Sequence, residues 1–251
     1  MSKFSFQLKK TKGHARAGAF STPHGTVQTP IFMPVGTLAT VKAIDTQDIR
    51  STEAQIILAN TYHLYLTPGM EVIEKAGGAH PFMRWHKPIL TDSRGFQVFS
   101  LGAQQDSKRV QLNREPSAKL HQKNKITEEG VKFTSHRDGS EHFFSPEKSI
   151  EIQRSIGADI IMAFDECTPD QASPEYTRQA LDRTHRWAKQ CKEYWDSKER
   201  LSKYGKYQAL FGIVQGAMHP ELRKESAQVM KDLDFDGIAL GGETVGYNME
   251  G

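Results

Sequence analysis

Five polar positions stand directly after short apolar runs: Asn60 after IILA, Asp92 after ILT, Asp165 after IIMAF, Gln215 after FGIV, and Gly241-Gly242 after GIAL. One polar residue at the end of one strand is an ordinary turn former or helix cap. Such endings gain a further meaning when the strands run parallel, because every carboxyl end then faces the same side of the sheet. The chemistry of this set suits a planar, donor-rich heterocycle. A carboxylate accepts two N–H groups from one edge, a glutamine side chain and a glycine N–H donate to a carbonyl, and Phe96 offers a ring to stack on a face. Guanine has that complement, with N1–H and the exocyclic amine beside O6.

Other chemistries find less support. There is no HxH after the first strand and no HExxH, and His63 in NTYHL and His86 in RWHKP stand alone as hydrogen-bonding residues. No metal ligand is therefore expected, which disfavours a metal-dependent barrel hydrolase. DSRGFQ and GGETVG lack the lysine of a phosphate-binding loop and the glycine spacing of a dinucleotide fingerprint. Cys167 and Cys191 are the only cysteines and form no CxxC pair, so neither a disulfide framework nor a local zinc knuckle follows.

The elements that must position these groups are legible. Apolar stretches at Ile31–Val35, Ile56–Ala59, Pro88–Leu90, Asp159–Phe164, Leu210–Val214 and Gly237–Leu240 are apolar on successive residues, as strands buried on both faces are. Helical patterns lie between them. Ser145-Pro146 and Ser173-Pro174 read as N-caps followed by proline in the first turn, Gly157 closes the first of these helices, and His219-Pro220 opens a third that runs to about Leu233. Leu181, Thr184, Ala188, Cys191 and Trp195 fall on one helical face, which makes Cys191 and Trp195 packing residues.

Alternating strands and helices predict an α/β fold, a TIM-type (β/α)8 barrel over residues 1–251 as a single domain. Phe4, Phe6 and Leu8 alternate, Gly13 and Gly25 mark turns and Val27 leads into Pro30, which predicts an N-terminal antiparallel hairpin closing one barrel end. Only six parallel strands are visible, so the barrel is expected to be incomplete at its C-terminus. Its open edges should promote aggregation or dimerisation.

The 251 residues carry a net charge of +3, too small to mark a nucleic-acid binder. The basic residues concentrate at 102–125, where Lys108, Arg109, Arg114, Lys119, Lys123 and Lys125 outnumber Asp106 and Glu115. This predicts a basic loop insertion. The polar start MSKFSFQLKK lacks the apolar core of a signal peptide and no run is long enough to span a bilayer, so a cytoplasmic protein without a membrane partner is expected.

The segments PIFMPVGTLATVKA, ILANTYHLYLTPG, ILTDSRGFQVFSL, DIIMAFDECTP, FGIVQGAMHPELR and FDGIALGGETVG, in that order from Pro30 to Gly246, resemble the tRNA-guanine transglycosylase family. DSxGFQVFSL and FDECTP are the most specific of them. The resemblance implies exchange of the wobble guanine of tRNA for a 7-deazaguanine base in the queuosine pathway, through an aspartate nucleophile that attacks C1′ of the ribose. It also implies a homodimer for the full-length enzyme.

Carried onto matching positions, Asp92 is the proton acceptor and a contact to the base, within a pocket wall formed with Ser93, Arg94 and Gly95. Asp165 grips N1–H and the exocyclic amine, Gln215 and the Gly242 N–H hold O6, Phe96 stacks, and Asn60 supports Asp92.

Three departures from the family pattern bear on specificity. Ser93-Arg94-Gly95 replaces the usual Ser-Gly-Gly, which puts a long cation near the substrate and toward a tRNA phosphate. The loop Gly241 to Tyr247 reads GGETVGY rather than GGLAVGE, which leaves Glu243 as the available carboxylate for the incoming base. The basic loop is longer than usual and would add phosphate contacts and salt dependence. The family's nucleophile block, DxFDCVxPTR-like, and its CxCxxC-plus-His structural zinc site do not occur in the sequence and are expected beyond residue 251. The chain is thus expected to keep the base pocket and to be inactive alone, with no cofactor of its own. The rival expectation is a non-catalytic subunit that binds tRNA or a catalytic homologue.

Overall fold

The computed structural model describes residues 4–93, 125–135, 137–168 and 172–242. Arg94, Gly95, Phe96, Glu243 and the 102–125 loop, apart from Lys125, lie outside the described residues.

The chain begins with three antiparallel strands, β1 (Ser5–Lys12), β2 (Ala15–Thr22) and β3 (Gly25–Thr29). The expected hairpin therefore carries a third strand, whose Val27 pairs with Phe20 and buries its side chain. Next come β4 (Val35–Gly36), α1 (Thr46–Ser51), β5 (Ile57–Ala59), α2 (Thr61–Leu64), α3 (Met70–Lys75), α4 (Ala79–Met83) and β6 (Ile89–Thr91). A second antiparallel sheet, β7 (Lys125–Ile126), β8 (Val131–Thr134) and β9 (Glu141–Phe144), precedes α5 (Pro146–Ile156). Then β10 (Ile160–Met162), α6 (Pro174–Ser197), β11 (Ala209–Val214), α7 (Pro220–Asp232) and β12 (Gly237–Leu240) complete the described chain.

All six expected strands join one sheet in the order β12-β11-β10-β6-β5-β4, and every pairing is parallel. Three of the strands, β4, β5 and β10, are shorter than the apolar runs that announced them. At the first, Pro30 and Pro34 have no N–H to donate, so only Val35 and Gly36 pair, while the Pro34 carbonyl still accepts from Leu58 N at 2.9 Å. Ser145 and Ser173 cap their helices, accepting from Lys148 N and Tyr176 N at 3.2 Å each. Gly157 ends α5 with φ of 78°. His219 makes no side-chain cap bond, and α7 starts on Pro220 alone.

Cys191 and Trp195 are buried in packing, as their spacing implied. The N-terminal sheet covers the amino ends of the parallel strands, where Phe4 packs on Phe20 and edge-on against Phe211 of β11. The carboxyl ends are left for other residues. At the sheet's two sides, Leu240 of β12 is 72% exposed and Val35 of β4 is 51% exposed, apolar side chains that the described residues do not cover.

Gln153 of α5 fixes the middle of this sheet. Its buried Oε1 accepts from Thr91 Oγ1 at 3.0 Å and Met162 N at 2.9 Å, while Nε2 donates to Met162 O at 2.9 Å. One amide thus locks β6 to β10, the two strands that carry Asp92 and Asp165. Gln153→Leu keeps the volume and removes these bonds, leaving polar groups without partners at about 1–3 kcal/mol each. We expect urea unfolding to show a loss of roughly 3 kcal/mol; a loss under about 1 kcal/mol would mean the lock is dispensable.

Candidate functional site

Each polar strand ending has its own support. Asn60 caps α2, its Oδ1 accepting from His63 N at 3.0 Å, and the other end of the same amide donates from Nδ2 to Asp92 Oδ2. Capping and service to the site are therefore one arrangement: the helix start orients the amide that holds the aspartate. Thr61 adds its backbone N–H to Asp92 Oδ1 at 2.9 Å and its hydroxyl to the Asp92 carbonyl. Asp92 is half-buried.

Asp165 sits deeper, 4% exposed. Ser93 Oγ donates to its Oδ1 at 2.6 Å and Gln215 Nε2 to its Oδ2 at 2.6 Å. Burial pushes its carboxyl above the usual range, and the bonds from Ser93 and Gln215 oppose that shift without cancelling it. A carboxylate offers about four lone-pair positions. Among the described residues two are filled, which leaves room for two further donors from one ligand edge.

Gln215 is placed by its backbone N, which donates to Ser226 Oγ of α7 at 3.1 Å. Its Oε1 is buried and has no hydrogen-bond partner among the described residues. The Gly241-Gly242 turn lies against this amide. A Cβ on Gly241 would fall 2.5 Å from Gln215 Nε2, and Gly242 has φ of 77°, so both positions require glycine. Arg223 Nη1 donates to the Gly241 carbonyl at 2.9 Å and fixes the turn.

The structure thus brings Asn60, Asp92, Ser93, Asp165, Gln215 and Gly242 together at the carboxyl ends of five adjacent strands. Residue-by-residue reading missed the support behind them. Glu166, next to Asp165, is buried and receives Tyr176 OH at 2.6 Å and Arg183 Nη1. The Tyr176 hydroxyl is pushed up to about 12 by burial and by the Glu166 carboxylate. The only signal was a second acid inside FDECTP, whose partners lie in the following helix. Cys191 is buried, its thiol raised by desolvation, and no cysteine belongs to a potential ligand cluster among the described residues.

A model of the queuine tRNA-ribosyltransferase family matches residues 10–250. Over the whole chain, the sequence is 49% identical to a queuine tRNA-ribosyltransferase of Ruminiclostridium cellulolyticum and 50% identical to one of Herpetosiphon aurantiacus, of which it covers 61% and 57%. Over 98% of the chain it is 50% identical to that of Natranaerobius thermophilus, covering 60%. The chain spans about three fifths of the length of these curated relatives. No helix among the described residues is long and apolar enough to cross a membrane.

The buried acid has a consequence for stability. Asp165 ionises with more difficulty in the folded chain than in the unfolded one, where its pKa is about 3.9. Folding is therefore disfavoured progressively as pH rises from about 4 through the folded-state pKa. Asp165→Asn removes that charge, and its new Nδ2 can donate to the turned Gln215 amide, filling the orphaned Oε1. The variant should be more stable than the parent at about pH 7 by about 1–3 kcal/mol, with a smaller gain at about pH 4. Denaturant melts at the two pH values measure this, and a variant less stable at neutral pH would contradict it.

Proposed function

The chain belongs to the queuine tRNA-ribosyltransferase family, and on that premise we propose that it carries the base-recognition half of a tRNA-guanine transglycosylase. The substrates in this reading are a tRNA with a wobble guanine and a 7-deazaguanine base. The observation that carries it is Asp165, a buried carboxylate with two acceptor positions unfilled among the described residues, beside an amide and a glycine turn. Guanine supplies two adjacent N–H donors to such an acid. Its O6 then faces the Gly242 N–H and Gln215, whose NH2 turns from Asp165 toward the base carbonyl.

In the exchange, a nucleophilic aspartate from the protein beyond residue 251 attacks C1′ of the ribose and the bond to guanine N9 breaks, guanine leaving with the electron pair and taking up a proton from solvent. The incoming base then displaces the aspartate from C1′, and the proton its ring nitrogen loses passes to Asp92. Asn60 and the Thr61 N–H orient Asp92 for that transfer. Further strands in the longer protein close the sheet into a barrel over the exposed sides of β4 and β12, and the structural zinc and the dimer belong to that longer protein. Arg94 and the 102–125 loop supply cations to the tRNA backbone, Phe96 stacks on the base, and Glu243 meets the substituent of the incoming base.

The 251-residue chain should bind guanine but not turn it over. Asp165→Ala should abolish calorimetric guanine binding with circular dichroism unchanged, because a charge-assisted pair of bonds is lost. In the parent, affinity should rise with pH through the elevated pKa of Asp165, since only the ionised acid accepts both donors. Unchanged guanine affinity in the variant would refute the pocket assignment. Catalytic incorporation of labelled guanine into tRNA by this chain would refute the division of labour.

A further inference from the structure

The segment that carries Asp165 is fastened from its other side. Asp165 faces Ser93 and Gln215, while its two chain neighbours face α6, as alternation along an extended chain requires. Phe164 N donates to Cys191 Sγ at 3.2 Å, and the Phe164 ring packs on Trp187 with centroids 4.8 Å apart. Glu166 N donates to Thr184 Oγ1 at 3.0 Å. The buried Glu166 carboxylate accepts from Tyr176 OH at 2.6 Å on Oε1 and from Arg183 Nη1 on Oε2. One face of one helix thus holds the residues before and after the pocket acid.

Arg183 reaches further. Its Nε donates to Glu128 Oε1 at 3.0 Å in the turn between β7 and β8, where Arg186 Nη2 donates to Glu128 Oε2 at 2.6 Å and Trp187 Nε1 to the Glu128 carbonyl at 2.7 Å. A buried ion pair adds little net stability, because desolvation of the two groups offsets their attraction, so stability alone does not account for a pair placed here. Its position beside Asp165 does. An uncompensated Glu166 would oppose negative charge on the neighbouring acid, and a guanidinium in contact with Glu166 weakens that opposition.

Resting on the base-recognition reading above, we propose that Glu166 and Arg183 are positioning residues of base recognition: Glu166 anchors the peptide that aims Asp165, and Arg183 offsets the Glu166 charge so that Asp165 can meet a donor edge. The two therefore act on Asp165 in opposite senses. The Glu166 charge favours the protonated acid, which loses acceptor capacity, and the Arg183 charge favours the ionised acid, which accepts both donors. Asp92 next to Ser93, Cys191 of α6, His185 bonded to Ser226 behind Gln215, and Arg223 on the Gly241 carbonyl also face this region. All four stay in place in every variant below.

The test follows the calorimetric affinity of the 251-residue chain for guanine as a function of pH. Glu166→Gln keeps an acceptor for Tyr176 and Arg183 but removes the charge, so the rise of affinity with pH should move to lower pH. Arg183→Met leaves Glu166 uncompensated, so the rise should move to higher pH, and Arg183→Lys should restore it in part. Each displacement should be at least about half a pH unit, roughly a 3-fold change in affinity on the rising limb. Arg178→Met removes a cation from an exposed pair on the same helix and should leave the midpoint in place. Should Arg183→Met fail to fold, the Glu166→Gln/Arg183→Met double variant carries the test, with a midpoint above that of Glu166→Gln. Midpoints that move the same way in both single variants, or a loss of affinity at every pH with the midpoint fixed, would overturn the proposal, the latter being the mark of a merely structural role. Absence of guanine binding by the parent would instead refute the base pocket. A carbon NMR titration of the Asp165 carboxyl without base then reads the same displacements, and an Asp165 titration unchanged across the variants would overturn the role of Glu166 and Arg183.

Discussion

The site depends on the parallel register of six strands. Leu58 pairs with Leu90, Leu90 with Ile160, Ile160 with Ala209, and Phe211 with Gly237. With neighbouring strands level in this way, residues one to three positions past each strand end emerge on one face. A shift of one residue in a single strand would turn its inward side chains outward and move its polar ending away from the others. Asn60, Asp92, Asp165, Gln215 and Gly242 meet because the hydrogen-bond ladder leaves them nowhere else to be. Gln153 holds that ladder at its centre, and the two acids follow from the strands it joins.

On this frame the two aspartates are set up differently by their surroundings. Asp92 is half-buried and receives an amide N–H from Asn60 and the backbone N–H of Thr61. Asp165 is sealed in and receives a hydroxyl and an amide, neutral donors that only partly offset its desolvation. A carboxylate that binds its protein poorly as a charge has much to gain from a ligand with two N–H donors. Beside it, the buried Gln215 Oε1 has no hydrogen-bond partner among the described residues.

Much of this was legible from the residues. The six apolar runs, the Ser145 and Ser173 caps and the Gly157 terminator needed only local patterns, and the structure places them as read. Strand ends were harder, because Pro30 and Pro34 look apolar in a pattern yet cannot donate to a ladder. The β7–β9 sheet escaped because its strands are short and only β8 alternates clearly between buried and exposed positions. The Glu166–Arg183–Tyr176 support and the His24–His80–Asp159 cluster were beyond local reading for another reason. The first runs from a strand end across a loop into the next helix, and the second joins segments far apart in sequence, where no spacing rule connects His24 to Asp159.

The central claim is that Asp165 and its neighbours form a pocket for the edge of a guanine-like base. A crystal structure of the 251-residue chain soaked with guanine tests it most directly. The account predicts a purine with N1–H and the exocyclic amine on the Asp165 carboxylate and O6 toward Gln215 and the Gly242 N–H. A base bound elsewhere, or one whose donor edge turns away from Asp165, would contradict it.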